Sequence, residues 1–116
     1  MNSSEIINLD SIIKLHAKEN PSKTALIFVD IDKNIEETVT YSQLDILISK
    51  TCNYLKHNNF KKYDKLLINI PNSLPFVILL LASFRMGIVA VTTNPNLTTR
   101  ELEYQFKQSG SKNIIS

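Results

Sequence analysis

Residues 66–91, LLINIPNSLPFVILLLASFRMGIVAV, contain the most apolar run of the chain and decide its fold class. The run over 75–91 holds one charged residue, Arg85, and one glycine, Gly87. A charge near the centre of a membrane helix costs roughly 2.5–3.5 kcal/mol on insertion scales, and Ile-Val-Ala-Val after Gly87 prefers extended backbone. The stretch therefore predicts a strand, a buried helix and a second strand, with a small membrane-associated protein as an alternative.

Turn and cap residues divide this stretch into its elements. Pro71 to Ser73 form a turn after a strand over 66–70, and Ser73 is placed to cap a helix over 74–86. Gly87 suits the left-handed position that ends many helices. Because residues 76–84 are apolar on nearly every side, this helix needs neighbours all round, which predicts a piece of a larger domain.

The remainder of the chain alternates in the same way. Before residue 66 the pattern predicts two helices with a hairpin between them. The first helix is capped by Asp10 or Ser11 and ends at Glu19, and the hairpin has strands at 24–29 and 38–40. The second helix covers 41–57 and is capped by Ser42. After residue 91, Thr98 and Glu101 form a capping box that opens a helix ending at Gly110, followed by a last strand at 112–116.

This order predicts an α/β fold. Strands that alternate with helices form parallel sheets with right-handed crossovers. We therefore expect part of a mostly parallel sheet, preceded by an N-terminal β-hairpin.

Composition excludes several classes of protein. The chain has 116 residues and a formal net charge of +2, too weak to indicate a nucleic-acid surface. Cys52 is the single cysteine, which excludes an internal disulfide and a cysteine-based metal cluster. The lysines at positions 56, 61, 62 and 65 are interpreted as a solvated connection.

The residues that could carry chemistry form no catalytic constellation. Asp30 to Asn34 begins like a calcium loop, but Ile35 and Tyr41 stand where that loop needs Gly and Glu. His16, His57 and Cys52 are interpreted as structural. With two glycines in the chain, no dinucleotide-binding fingerprint or Walker loop is present.

Six ordered motifs nevertheless resemble the adenylate-forming (AMP-binding) superfamily, which includes acyl-CoA synthetases and 4-coumarate–CoA ligases. They are NPSKTALI at 20–27, TYSQL at 40–44, the strand and turn DKLLINIPNSLPFV at 64–77, MGIVA at 86–90, NPNLTTREL at 94–102 and SGSK at 109–112. Asn94-Pro95 favours the acyl-CoA ligase branch. Tyr63 and Pro75 depart from the usual glycine and acidic residue.

The resemblance implies that residues 1–116 are a partial N-terminal domain of an AMP-dependent synthetase or ligase. Family members activate a carboxylic acid with ATP and Mg²⁺ to an acyl-adenylate and then transfer the acyl group to coenzyme A. Their catalytic motifs find no counterpart here, so the resemblance implies no catalytic, cofactor-binding or metal-binding residue in these positions and no activity of the chain alone.

Partners and location follow from the same resemblance. The expected partner is the remainder of the ligase domain, or another protein that covers the apolar helix. A stand-alone, non-catalytic interaction module or a pseudoenzyme is therefore an alternative function. We expect a cytoplasmic location as the default, because Ile114-Ile115-Ser116 is not a peroxisomal address. For a full-length relative, a peroxisomal location is the alternative.

Overall fold

A computed structural model describes residues 8–116 and shows an alternation of helices and strands in that range. The elements are α1 (Leu9–Glu19), β1 (Thr24–Asp30), β2 (Ile35–Thr40), α2 (Tyr41–His57), β3 (Lys65–Ile68), α3 (Leu74–Met86), β4 (Val89–Thr92), α4 (Thr99–Ser109) and β5 (Asn113–Ile115). They form two compact units, residues 1–50 and 51–116, with the boundary inside α2.

Helix α1 starts earlier than the sequence predicts. Its cap is Asn8, whose Oδ1 accepts a hydrogen bond from the Ser11 N–H at 2.8 Å, so Asp10 and Ser11 lie inside the first turn. The helix ends as predicted, because Asn20 caps it and its N–H donates to the His16 carbonyl. The prediction of the cap was wrong because Asn8, Asp10 and Ser11 are all residue types that cap helices well, and local preference does not choose between them.

The predicted hairpin is present and is longer than expected. Strands β1 and β2 pair antiparallel, with Asp30 opposite Ile35, so only residues 31–34 form the turn. The Asp30 carboxylate accepts the Lys33 N–H at 3.2 Å, and Asn34 has a φ of 52°. These are the local contacts of a tight turn, in which Asn tolerates the left-handed region.

Helix α2 begins with a capping box, and its cap lies two residues before the Ser42 that the sequence predicts. The Thr40 hydroxyl accepts the Gln43 N–H at 3.2 Å, and the Gln43 side chain accepts the Thr40 N–H at 2.9 Å. Thr40, and not Ser42, is therefore the cap. In the first unit, the buried apolar side chains of α1, β2 and α2 are Ile13, Val39, Leu44 and Ile48.

The second unit is built on a three-stranded parallel sheet with the order β4-β3-β5. The central strand β3 contributes Leu66, Leu67 and Ile68, which are fully buried. A parallel strand covered on both faces is apolar at every position, which explains why this segment shows no alternation. The sheet and the hairpin together confirm the predicted α/β class.

Helix α3 connects β3 to β4 and has the predicted ends. Ser73 caps it by accepting the Phe76 N–H at 3.4 Å, and Gly87 ends it with a φ of 72°. One face carries the buried residues Ile78, Leu81, Ala82 and Ser83, whereas Phe84 is 55% exposed. Among the helices of residues 8–116, none combines the length and hydropathy that a membrane crossing needs.

Helix α4 has the predicted capping box. The Glu101 N–H donates to the Thr98 hydroxyl at 3.2 Å, and the Thr98 N–H donates to the Glu101 carboxylate at 3.1 Å. None of its side chains is fully buried, and Gly110 ends it in the left-handed conformation.

The two glycines give a matched test of backbone geometry. Both have a positive φ, 72° for Gly87 and 68° for Gly110. The two positions differ in the space available to a side chain. A Cβ added at Gly87 would lie 2.8 Å from Lys62 Cγ, whereas a Cβ added at Gly110 would lie 4.0 Å from Lys65 Nζ. We expect Gly110→Ala to cost about 1–2 kcal/mol from the left-handed backbone alone, and Gly87→Ala to cost more. Urea unfolding of both variants checks this, and equal losses would show that Lys62 moves aside freely.

Candidate functional site

The carboxyl-terminal edge of the parallel sheet is the candidate site. In open α/β sheets, ligands bind outside the carboxyl ends of the strands, where successive crossovers leave in opposite directions. Here β4 lies on one side of β3 and β5 on the other, so the crossovers through α3 and α4 diverge. The edge beside β3 is therefore where this topology would place a ligand.

Two polar side chains join the strands at this edge. The Thr93 hydroxyl, just after β4, donates to Asn69 Oδ1, just after β3, at 2.8 Å. The Asn69 N–H donates to the Ile115 carbonyl of β5 at 2.7 Å, and the Thr93 N–H donates to the Ile68 carbonyl at 3.3 Å. Asn69 thereby connects all three strands at their carboxyl ends.

The loops that leave this edge are held by their own side chains. After β4, Asn94 Oδ1 accepts the Asn96 N–H at 2.9 Å, and the Leu97 N–H donates to the Asn94 carbonyl at 3.2 Å. After β3, the Ser73 hydroxyl donates to the Pro71 carbonyl at 2.9 Å while it caps α3. Both loops are thus turns that deliver the chain into a helix.

The chemistry available at this edge is hydrogen bonding. The amide of Asn and the hydroxyl of Thr can orient a neighbouring group through hydrogen bonds, but neither side chain ionises near neutral pH. Among residues 8–116 no three His, Cys, Asp or Glu side chains come together in a way that could hold a metal ion. At this edge, the described side chains of Asn69 and Thr93 offer hydrogen-bond donors and acceptors.

The Asn69–Thr93 hydrogen bond should make a measurable contribution to the free energy of unfolding. We expect Thr93→Val to lower the free energy of unfolding by about 0.5–1.5 kcal/mol, because the half-buried Asn69 oxygen loses its donor without a change of shape. The matched control is Thr92→Val, at the exposed neighbouring position of β4. Urea denaturation of the two variants measures the difference, and equal stabilities would contradict a role for this bond.

At the opposite, amino-terminal edge, Asp64 connects the starts of β3 and β5. Its Oδ2 accepts the Lys61 N–H at 2.7 Å and lies 3.2 Å from Lys112 Nζ. The backbone hydrogen bond from Lys61, assisted by Lys112, lowers the pKa of Asp64. The Lys112 ammonium also contacts the Asn59 carbonyl and lies 5.2 Å from the centre of the Phe60 ring. These contacts satisfy backbone groups at the starts of the two strands.

Lowered carboxyl pKa values predict acid-labile stability. Hydrogen bonds from the Thr98 backbone and hydroxyl lower the pKa of Glu101, as those from Lys61 and Lys112 lower that of Asp64. Both contributions are fully present above the ordinary values, 4.5 for Glu101 and 3.8 for Asp64, and are lost as the pH falls through the lower folded-state values.

Urea titrations between pH 7 and pH 3 test this acid lability in the wild type and in Asp64→Asn. The variant should lose stability at neutral pH and show a shallower pH dependence in the acid range. Asp32→Asn, in the exposed hairpin turn, is the matched control for the change of charge. Parallel pH curves for Asp64→Asn and the wild type would contradict the assignment.

The other residues singled out from the sequence make local contacts. The His16 ring stacks on Tyr41 with centroids 4.7 Å apart, and Cys52 is buried with its sulfur 3.7 Å from the Ala82 carbonyl. Asp30 holds the hairpin turn, and His57 lies exposed at the end of α2. The sequence analysis did not single out Asn69 as a site residue. Its signal is a polar residue directly after the apolar run Leu66 to Ile68.

Comparison with known proteins identifies the family. Residues 13–116 match the AMP-binding enzyme family. The chain belongs to this family. It is 31% identical over 102 residues to a 4-hydroxybutyrate–CoA ligase of Metallosphaera sedula, and 33% identical over 100 residues to a long-chain-fatty-acid–CoA ligase of Haemophilus influenzae.

Solved structures of the AMP-binding family share the fold. The N-terminal subdomain of NpsA from Klebsiella oxytoca matches 96% of the chain with a TM-score of 0.79 and 26% identity. A fatty acyl CoA synthetase of Mycobacterium tuberculosis matches 92% of the chain with a TM-score of 0.78 and 26% identity.

The chain spans only a small part of these AMP-binding relatives. The matches cover 88% and 84% of this chain, but 18% of the Metallosphaera ligase and 16% of the Haemophilus ligase. The NpsA match covers 28% of that chain, and the Mycobacterium match covers 20%. The 116 residues correspond to an N-terminal piece of an adenylate-forming enzyme, as the sequence motifs predicted.

Proposed function

We propose that this chain is the N-terminal scaffold of an acid–thiol ligase. In the proposed reaction a carboxylic acid is activated with ATP to an acyl-adenylate, and the acyl group is then transferred to coenzyme A. The observation that carries the proposal is the match to the AMP-binding family over residues 13–116, together with similarity to two CoA ligases.

The proposed role of these residues is to form and position the sheet. The hydrogen bonds of Asn69 and Thr93 set the carboxyl ends of three strands at one edge, and two capped helices leave from that edge. A rigid edge of this kind can support a catalytic centre assembled by later segments. We propose that residues 1–116 belong to one such N-terminal domain.

The proposed cofactors and partners belong to the whole enzyme. ATP, Mg²⁺ and coenzyme A would be bound by the remainder of the ligase domain, which is also the partner expected to cover the exposed apolar residues of the second unit. Asn94-Pro95 supports placement in the acyl-CoA ligase branch, including enzymes like 4-coumarate–CoA ligase. For the whole enzyme we also propose a cytoplasmic location.

The test begins with the native polypeptide. An antibody against residues 1–60 is used to measure its size in source lysate and to purify it for assay. We expect a band several times larger than 13.2 kDa, which releases pyrophosphate from ATP only when a carboxylic acid is added and forms a thioester with coenzyme A. The 116-residue chain, assayed in parallel, should release none.

Two results would overturn the proposal. Turnover by the 116-residue chain alone would show that it contains a catalytic centre of its own. A large native polypeptide that releases no pyrophosphate with short-, medium-, long-chain or aromatic acids would exclude a ligase of this class.

A further inference from the structure

A cavity of about 310 Å³ lies in the second unit, away from the carboxyl edge of the sheet. Its walls are the last turn of α2, the loop that follows it, and the last turn of α3. Small-molecule sites in proteins begin at about 300 Å³. The cavity is therefore large enough for a compact organic ligand.

Cationic side chains surround this cavity. Lys56, Lys61 and Lys62 line it together with Arg85, and no carboxylate is among its lining residues. Within residues 8–116, none of the three lysine ammonium groups forms a salt bridge. Arg85 is engaged in another interaction, so the lysines are the groups that can contact a ligand. The sequence interpretation of a solvated connection did not anticipate this convergence, because Arg85 is distant along the chain.

Cations near a helix C-terminus can be explained by unsatisfied carbonyls. Backbone donors already reach part of these groups: the Phe60 N–H donates to the Leu55 carbonyl at 3.0 Å, and the Ile88 N–H donates to the Ser83 carbonyl at 2.9 Å. Lys62 lies instead with its stem against Gly87 and its ammonium 5.1 Å from the centre of the Tyr63 ring. The Lys61 ammonium interacts electrostatically with the Asp64 carboxylate, but within residues 8–116 neither it nor the Lys62 ammonium is held in a salt bridge.

Apolar side chains line the rest of the cavity. Phe60 is buried at 6% exposure, Cys52 at 5%, and Met86 is half-buried. Thioether and aromatic groups adapt well to the faces of rings and alkyl chains. A ligand with one charged end and one apolar part would use both kinds of surface.

We propose that this cavity binds a small organic phosphate, with the phosphoryl group against the three lysines and the apolar part against Phe60 and Met86. A phosphoryl group carries close to two negative charges and three acceptor oxygens, and lysine contacts such a group as a mobile point charge. A monocarboxylate would neutralise less of this charge. The proposal is independent of ligase activity, because it concerns a different edge of the sheet and needs no turnover.

Phenyl phosphate is the probe, and the readout is the set of amide shifts of the ¹⁵N-labelled 116-residue chain. We expect saturable shifts concentrated at residues 56–62 and 85–87. Phenol, which keeps the ring and lacks the charge, should leave these amides unchanged. Binding should weaken as NaCl is raised, because salt screens exposed charges.

Lysine variants separate a site from general charge attraction. The triple variant Lys56→Gln, Lys61→Gln, Lys62→Gln should weaken binding by about tenfold or more, as expected for loss of charged hydrogen bonds. The matched control removes three exposed lysines elsewhere, through Lys23→Gln, Lys33→Gln and Lys107→Gln. Its affinity for phenyl phosphate should be within about twofold of the wild-type affinity, since distant surface charges are screened.

Further outcomes decide the proposal. Equal weakening in the two triple variants, shifts spread over all surface lysines, or equal shifts with phenol would each overturn it. If the cavity triple variant does not fold, Lys61→Gln takes its place, because the hydrogen bond to Asp64 uses the Lys61 backbone N–H and is kept. Unchanged binding in that variant would contradict contact with Lys61.

Discussion

Leu67→Ala is expected to lower the free energy of unfolding by about 2–5 kcal/mol, the range for a large-to-small change in a packed core. Leu67 is fully buried in the central strand, with Val91 of β4 and Ile114 of β5 beside it in the register. Both faces of this strand are covered, so no neighbour can refill the space without moving a strand. Urea unfolding followed by circular dichroism measures the loss.

Leu15→Ala is the matched control for this prediction. Leu15 lies on α1 and is 51% exposed, so the same chemical change should cost less than about 1 kcal/mol. Similar losses in the two variants would mean that β3 is not the centre of the core in solution.

Ala82→Leu is expected to destabilise the second unit by about 1–3 kcal/mol through overpacking. Ala82 has no exposed surface, and its carbonyl lies 3.7 Å from the Cys52 sulfur of α2. Because Ala82 is fully buried, the added carbons must displace atoms that now pack around it. The change should appear as a lower urea midpoint, with loss of native near-ultraviolet signal if the helices separate.

Phe84→Leu is the matched control on α3. Phe84 is 55% exposed on a different face of the helix, and its replacement should leave the urea midpoint nearly unchanged. A tolerated Ala82→Leu, with a stability within about 0.5 kcal/mol of the wild type, would show that this contact is loosely packed.

The helix caps show which errors sequence reading makes. Thr40 and Ser42 are both good caps, and local preference does not choose between them. The choice follows from contacts with a preceding segment: the Tyr41 N–H donates to the Lys23 carbonyl at 2.9 Å and the Ser42 N–H to the Pro21 carbonyl at 3.1 Å. These bonds satisfy the first donors of α2 and place its start one residue after Thr40.

The candidate site was less accessible to sequence reading than the fold. Asn69 and Thr93 come together only because β3 and β4 are neighbours and end at the same level. The lysines of the basic cavity lie close together in the sequence, but their convergence with Arg85 depends on where α3 ends. The pair Asn69 and Thr93 and the set of cavity residues each join positions far apart in the sequence, and no regular spacing in the sequence indicates that they meet.

The sequence by itself determined the α/β class, the family, and those helix ends whose signals lie within three or four residues, such as Ser73, Gly87, and the pair Thr98 and Glu101. Local hydrogen bonds and backbone strain act over that distance, so the residues involved are readable directly. Only the tertiary structure decided the strand order β4-β3-β5, the edge at Asn69 and the basic cavity. Pairing between strands joins residues far apart in the chain, and its energy comes from packing that no single segment encodes.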